Sequence, residues 1–331
     1  MNILVFCQFN EGFGADFRRR LANAAPDETI IYAEDYNWTE EEYHEQLEKA
    51  DVIVSYIPKP DVKYCKNLKL WIFDIAGVDG FIDSPYLPED AIVCNASGAY
   101  GRIIAEHAVA LLLAVCRDIP KYVENKQRCE WKMYLPDKPV EGSNVMILGA
   151  GDIGTTIARY LRPIVGNGRI TGVRRVKRDY PDCFDDMISF DELDENLPKQ
   201  DIVLSVLPQT PETIGLMNKK RLRMMKDDAV LINTGRGSLI PLDDLAEVLN
   251  EGKFRGVGID VAEIEPVPAD HPIWKCDRLI ITPHSAGNAM AIDSPTGKRL
   301  LNLIAENLEN YINGRPLVNI VDRKTGYKKT N

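Results

Sequence analysis

The chain has no apolar run approaching the ~18–20 residues a membrane-spanning helix requires, so no such span is expected. It has no C-x-x-C pair either. Its seven cysteines (Cys7, Cys65, Cys94, Cys116, Cys129, Cys183 and Cys276) are scattered and odd in number. Neither a disulfide framework nor a zinc site is expected from them, and a reducing cytoplasm is the simplest compartment. A long basic face is missing too: 50 acidic residues against 40 basic ones leave a formal charge of −10. That balance argues against nucleic acid or an anionic membrane as the main partner. Internal repeats and low-complexity tracts are absent. The opening MNILVFCQF lacks a basic lead and a small-residue cleavage site, and reads as a first strand rather than a signal peptide.

What is present is alternation. The 331 residues, 45% of them hydrophobic, suffice for about two domains. Short apolar runs at 2–6, 29–32, 52–55, 69–73 and 91–94 are separated by helix-length polar or amphipathic stretches. A second series follows at 144–148, 169–173, 201–207, 229–233, 255–261 and 278–282. Such alternation predicts βα units and parallel sheets: an α/β protein of two doubly wound domains with a ligand cleft between them. TEEEYHEQLEK is one of the helices, with Thr39 and Glu42 spaced as a capping box. Its charges, and His44 among them, read as a solvated face. The strongly apolar helix GRIIAEHAVALLLAVCR, 101–117, is expected between domains or at a subunit contact. Glu106 and His107 within it are read as structural, since neither lies at a strand end. A long helix near 297–313 and a loose polar tail, DRKTGYKKTN, close the chain.

VMILGAGDIGTTIARYL, 145–161, reads as strand, turn and helix, with Gly149-x-Gly151-x-x-Gly154 at the turn. In that context the glycines predict a dinucleotide site. Gly149 permits the tight turn, Gly151 lets a pyrophosphate approach the backbone, and Gly154 lets helix and strand pack closely. The helix N-terminus offers N–H groups and a positive dipole end to phosphate. About 20 residues further on, an NAD site usually places an acid on the ribose. Here the strand ends in Arg174, Arg175, Lys177 and Arg178. A carboxylate would repel a 2′-phosphate, whereas guanidinium groups bind it, so NADP(H) is the preferred cofactor and NADH the lesser one.

Three later strands end in reactive residues: Arg236 after 229–233, Asp260 with Glu265 five positions on, and His284 after 278–282. Carboxyl ends of strands face the ligand crevice in such sheets. Hydride transfer at an alcohol carbon needs a group that takes or gives the hydroxyl proton, and His284 suits it. Glu265 would fix the imidazole tautomer. Arg236 would hold a substrate carboxylate and polarise the carbonyl beside it. Asp260 is assigned to the nicotinamide carboxamide.

With GAGDIG (149–154), LPQTPET (207–213), INTGRG (232–237), GIDVAEIEP (258–266) and TPHSAG (282–287) in this order, the chain resembles the D-isomer-specific 2-hydroxyacid dehydrogenase family over nearly its whole length. That family includes glycerate dehydrogenases and hydroxypyruvate and glyoxylate reductases. The resemblance implies that Arg236 binds substrate, Glu265 pairs with the histidine and His284 is the acid/base. It implies pyrophosphate contacts from Asp152 and Ile153, and a cofactor lining from Pro208, Thr213, Thr234, Asp260 and Gly287. AGVDG, 76–80, matches the family's substrate loop, so the N–H groups of Gly77 and Val78 would hold the substrate carboxylate. The implied fold is discontinuous: a flavodoxin-like substrate domain from 1–98 plus 288–331, and a Rossmann coenzyme domain from 99–287. The helix carrying AEH would join a homodimer contact through 101–140. Tyr100 and Arg102 depart from the pattern before AEH, and either alter the nicotinamide side or simply pack. Trp131, in CEWKMYLP (129–136), is a candidate for the substrate pocket or a dimer anchor.

The expected function is NADPH-dependent reduction of a small 2-keto acid, glyoxylate or hydroxypyruvate in kind, to the D-2-hydroxy acid. Two alternatives stand beside it. One is an NAD-linked biosynthetic dehydrogenase of a phosphoglycerate-like acid, disfavoured by the basic ribose position and by the lack of an expected C-terminal regulatory domain. The other is a dinucleotide-sensing, corepressor-like protein without catalysis. No metal is expected.

Overall fold

Strands that are apolar at every position must be covered on both faces, and parallel sheets flanked by helices meet that demand. The computed structural model describes residues 1–7, 11–134, 138–177, 179–287 and 294–326. Arg178, residues 135–136 of the CEWKMYLP loop and residues 327–331 of the tail lie outside the described residues. The chain divides into two compact units, 1–100 with 289–331, and 101–288.

The first unit contains β1 (Asn2–Val5), α1 (Glu11–Ala24), β2 (Thr29–Tyr32), α2 (Glu40–Lys49), β3 (Val52–Val54), β4 (Leu70–Ile72) and β5 (Ile92–Cys94). The strands pair in parallel in the order β2-β1-β3-β4-β5, the flavodoxin-like order. Thr39 caps α2 as its spacing predicts: its hydroxyl accepts from the Glu42 N–H, and Glu42 accepts from the Thr39 N–H at 2.8 Å. In the core Trp71 stacks on Phe73, and Phe81, in the loop that follows β4, meets Trp71 edge-on. That loop is tied down by Asn95, whose amide donates to the Ala76 carbonyl at 2.7 Å.

The second unit contains α3 (Gly101–Cys116), α4 (Ile119–Gln127), β6 (Asn144–Leu148), α5 (Asp152–Val165), β7 (Arg169–Val173) and β8 (Asp186–Ile188). It continues with α6 (Leu193–Asn196), β9 (Ile202–Ser205), α7 (Lys219–Met224), β10 (Val230–Asn233), α8 (Leu242–Asn250), β11 (Gly256–Ile259) and β12 (Leu279–Ile281). Its seven strands are all parallel, in the order β12-β11-β10-β9-β6-β7-β8. The order reverses between β6 and β9, which defines the ligand crevice at their carboxyl ends. The closing helix α9 (Pro295–Ile312) returns to the first unit and packs on α1.

Two features differ from expectation. Strand β8 is not heralded by an apolar run, because DMI sits among acids in CFDDMISF and only an edge is required of it. Helix α3 packs on α5, β10 and β11 of its own unit, a contact not foreseen from its sequence. Glycines on β11 admit it, since a Cβ at Gly256 would lie 2.7 Å from Val115 Cγ1 and one at Gly258 3.2 Å from Leu111 Cβ. Burial of Ala105, Ala108, Leu111, Leu112 and Val115 there explains the apolar sequence. Among the described residues, no helix is long and apolar enough to cross a membrane.

Candidate active site

The glycine turn has the geometry that its residues dictate. Gly149 follows β6 at φ +100°, a conformation that side chains rarely adopt. A Cβ at Gly154 would lie 2.0 Å from the Gly149 carbonyl oxygen, so the helix can approach only because that atom is missing. At Gly151 a Cβ would meet nothing within 4 Å, which leaves the backbone open to a ligand. Helix α5 starts at Asp152, with Ile153 and Gly154 in its first turn, where N–H groups have no intrahelical acceptor. A strained turn, an open backbone and a helix N-terminus together fit a pyrophosphate.

The basic cluster after β7 is divided in its roles. Half-buried Arg174 turns back, and its Nε and Nη2 both donate to the Ala150 carbonyl, the former at 2.6 Å. It therefore braces the glycine turn. Exposed Lys177 pairs with Glu192 at 2.7 Å. That bond, together with the Ser189 N–H and hydroxyl, pulls the Glu192 carboxyl down to about 2 and raises Lys177. Arg175 projects from the same segment as an exposed residue.

Beyond β9, Thr213 ties the LPQTPET loop to itself. Its hydroxyl donates to the Pro208 carbonyl at 2.7 Å and accepts from the Thr210 N–H at 2.8 Å. Beyond β10, Asn233 does similar work: Oδ1 accepts from the Gly235 N–H at 3.2 Å and Nδ2 donates to the Arg236 carbonyl at 3.1 Å. Thr234 is buried there, and its Oγ1 has no hydrogen-bond partner among the described residues, a polar atom suited to a ligand. Arg236 is half-buried, with Nη1 donating to the Gly235 carbonyl at 2.9 Å.

The structure brings the expected histidine and carboxylate together. His284 Nδ1 lies 2.7 Å from Glu265 Oε2, and Glu265 Oε1 accepts from the Ala262 N–H at 2.9 Å. With Nδ1 engaged, Nε2 is the ring nitrogen that can face a ligand. His284 adopts φ +52°, and its N–H donates to the Asp260 carbonyl at 2.7 Å.

Asp260 holds the loop that carries His284. Its buried carboxylate is turned to that loop. Oδ1 accepts from the Thr282 hydroxyl at 2.5 Å and the Ser285 N–H at 2.9 Å, and Oδ2 from the Ala286 N–H at 3.0 Å. Gly287 follows Ala286 in this loop. Thus Arg236, Glu265 and His284 each follow a strand of one sheet, with the glycine turn on the same sheet. Gly77 and Val78 belong to the other unit, in the loop after β4. Tyr100 is buried in that unit too, its hydroxyl donating to the Asp74 carbonyl at 2.6 Å, so it packs. Trp131 is wholly exposed, at 106% of its reference area. Thr282, Ser285 and Asn233 escape a reading based on titratable residues. Their only signal is a short hydroxyl or amide side chain beside a strand end, where it can bind local backbone.

Comparisons with known proteins bear on the family and the fold. The family model described as D-isomer specific 2-hydroxyacid dehydrogenase, NAD binding domain, matches residues 109–286. The chain is 32% identical over 227 residues to glyoxylate/hydroxypyruvate reductase A of Escherichia fergusonii, covering 69% of this chain and 70% of that one. It is 28% identical over 312 residues to the hydroxypyruvate reductase of Blautia hydrogenotrophica, covering 89% and 92% respectively. Its structure matches a D-isomer specific 2-hydroxyacid dehydrogenase from Xanthobacter autotrophicus Py2, solved in complex with NADPH and MES. That match has a TM-score of 0.79 and 26% identity, and covers 98% of this chain and 99% of the other.

Proposed function

We propose, from the premise that this chain belongs to the D-isomer-specific 2-hydroxyacid dehydrogenase family, that it reduces small 2-keto acids of the glyoxylate or hydroxypyruvate kind to D-2-hydroxy acids. NADPH is the preferred donor and NADH the lesser one. The single observation that carries the chemistry is the His284–Glu265 contact of 2.7 Å. A carboxylate on Nδ1 leaves Nε2 to protonate the keto oxygen and stabilises the imidazolium before and after transfer. Arg236 grips the substrate carboxylate, and the N–H groups of Gly77 and Val78 assist. The bound dinucleotide supplies the hydride for the keto carbon. Gly149, Gly151, Asp152, Ile153 and Gly154 would hold its pyrophosphate, and Pro208, Thr213, Thr234, Asp260 and Gly287 would line its nicotinamide half.

The NADPH preference is supported by the division of the basic cluster. Arg175 and Lys177 would read the 2′-phosphate, while Arg174 shapes the turn that every dinucleotide uses. Steady-state kinetics with both donors and a panel of 2-keto acids test the whole reading. Arg175→Ala should raise KM for NADPH by ~10-fold or more and spare NADH, because a charge-assisted bond is worth ~1.5–3 kcal/mol. Arg174→Ala should weaken both donors. Native preference for NADH with a phosphorylated hydroxy acid would favour the biosynthetic alternative. Dinucleotide binding without turnover on any acid would favour the sensing one.

A homodimer through 101–140 completes the proposal. Ile119, Tyr122, Val123, Trp131 and Met133 expose apolar surface along α4 and the segment after it. All seven cysteines are free thiols, in keeping with a cytoplasmic enzyme.

A further inference from the structure

A second histidine stands behind the first. His107, on α3, places Nε2 at 2.9 Å from Thr282 Oγ1 and 3.4 Å from Asp260 Oδ1. Thr282 Oγ1 in turn lies 2.5 Å from Asp260 Oδ1. Counting hydrogens decides who donates. Two oxygens at that separation require a hydrogen between them, and both Asp260 oxygens already act as acceptors of backbone N–H groups, from Ser285 and Ala286. The one hydroxyl hydrogen of Thr282 therefore goes to Asp260. His107 must then supply its own hydrogen to the remaining lone pair of Thr282, whichever protonation state it holds.

We infer that His107 is a positioning residue for His284, acting as an Nε2–H donor that locks the Thr282–Asp260 clamp. The inference rests on the proposed role of His284 as the acid/base. The clamp joins three elements: helix α3, the end of β11 and the loop after β12. His284 lies inside that loop, between Thr282 and Ser285, both of which are bonded to the Asp260 carboxylate. Its own N–H is bonded to the Asp260 carbonyl. Its left-handed backbone, φ +52°, is one that a residue with a side chain holds only when its surroundings impose it. Losing the His107 hydrogen would leave Thr282 free to turn its hydroxyl away from Asp260, and the loop would keep only the backbone bond from the Thr282 N–H to the Ile259 carbonyl at its first residue. Imidazole placement relative to the substrate would suffer, while dinucleotide binding at the glycine turn would not.

The test has a kinetic arm and one independent of turnover. His107→Leu should lower kcat by ~10-fold or more with KM for the dinucleotide within ~3-fold of native, the pattern of a lost transition-state interaction. His107→Gln, which retains an N–H donor, should restore kcat to within ~3-fold of native. Thr282→Val should copy the loss of His107→Leu, and the double variant should be no worse than either single one, as expected of residues in one network. Native kcat in His107→Leu, equal defects in the Leu and Gln variants, or multiplicative losses in the double variant would each overturn the inference. In the second arm, ring 15N NMR of the native protein, which has only four histidines, should show His107 protonated at Nε2. A bare Nε2 with the proton on Nδ1 overturns it even if the Leu variant fails to fold. Absence of turnover on every keto acid would instead refute the proposed function and leave the NMR result standing.

Discussion

At the scale of single residues, the proposed chemistry rests on the His284 imidazole and the Glu265 carboxylate that lies 2.7 Å from it. His284→Ala should cut kcat by ~10²–10⁴-fold, the usual contribution of a positioned acid/base. Glu265→Gln should preserve the fold yet lower kcat, because an amide neither stabilises an imidazolium nor fixes the tautomer. Stopped-flow measurement of NADPH oxidation would check both, and near-native rates in either variant would dismiss the pair. Asp74 makes a separate prediction. It is buried, its Oδ2 accepts from the Ser55 hydroxyl at 2.8 Å, and its Oδ1 has no partner among the described residues. Burial pushes its carboxyl above the ordinary range. A raised carboxyl contributes stability that is fully present below the unfolded value near 3.8 and is lost as pH rises through the folded value. Asp74→Asn should therefore melt higher than native at alkaline pH, with the two curves converging in acid. Thermal unfolding followed by circular dichroism across pH decides it, and parallel curves would contradict it.

At the scale of elements, local chemistry and close packing set the boundaries. Removing the Thr39 cap from α2 by Thr39→Ala should cost about 0.5–2 kcal/mol in urea unfolding. Gly154→Ala is a harsher change, because the new methyl would collide with the Gly149 carbonyl and push α5 off β6. Overpacking of this kind costs about 1–3 kcal/mol, and here it should also abolish dinucleotide binding measured by fluorescence. Most elements were legible in the linear order of residues. The β6–α5 turn declares itself through glycines whose roles are local, and ten of the strands are apolar runs that carry their own signal. The eleventh, β12, is only half-buried, yet its run RLIIT stands out. Strand β8 was illegible because an edge strand of three residues needs only two buried positions. Helix α3 was legible as a helix but not in its packing. The glycines of β11 that admit it lie some 150 residues away and have no mark of that purpose in their own neighbourhood.

At the scale of the whole molecule, the two sheets differ in strand order and each keeps its own core. The net charge is −10, and exposed apolar residues on α4 and the segment after it motivate the proposed dimer contact. If α4 and the segment after it form a dimer seam, Trp131→Glu should shift sedimentation from dimer toward monomer. A native chain that sediments as a monomer would remove the premise.

The candidate residues of the proposed site were named by sequence alone. Glycine spacing, strand-end positions and the order of five motifs name Gly149, Arg236, Glu265 and His284, because each depends on residue type and local backbone. Tertiary structure decided how these groups are held. The turning of Arg174 onto Ala150, the bonding of Asp260 to the His284 loop, and the meeting of His107 with Thr282 across 175 positions are contacts between distant segments. The direction in which a charged side chain spends its hydrogen bonds is settled by whichever neighbours folding brings within about 3 Å, and no local pattern encodes it.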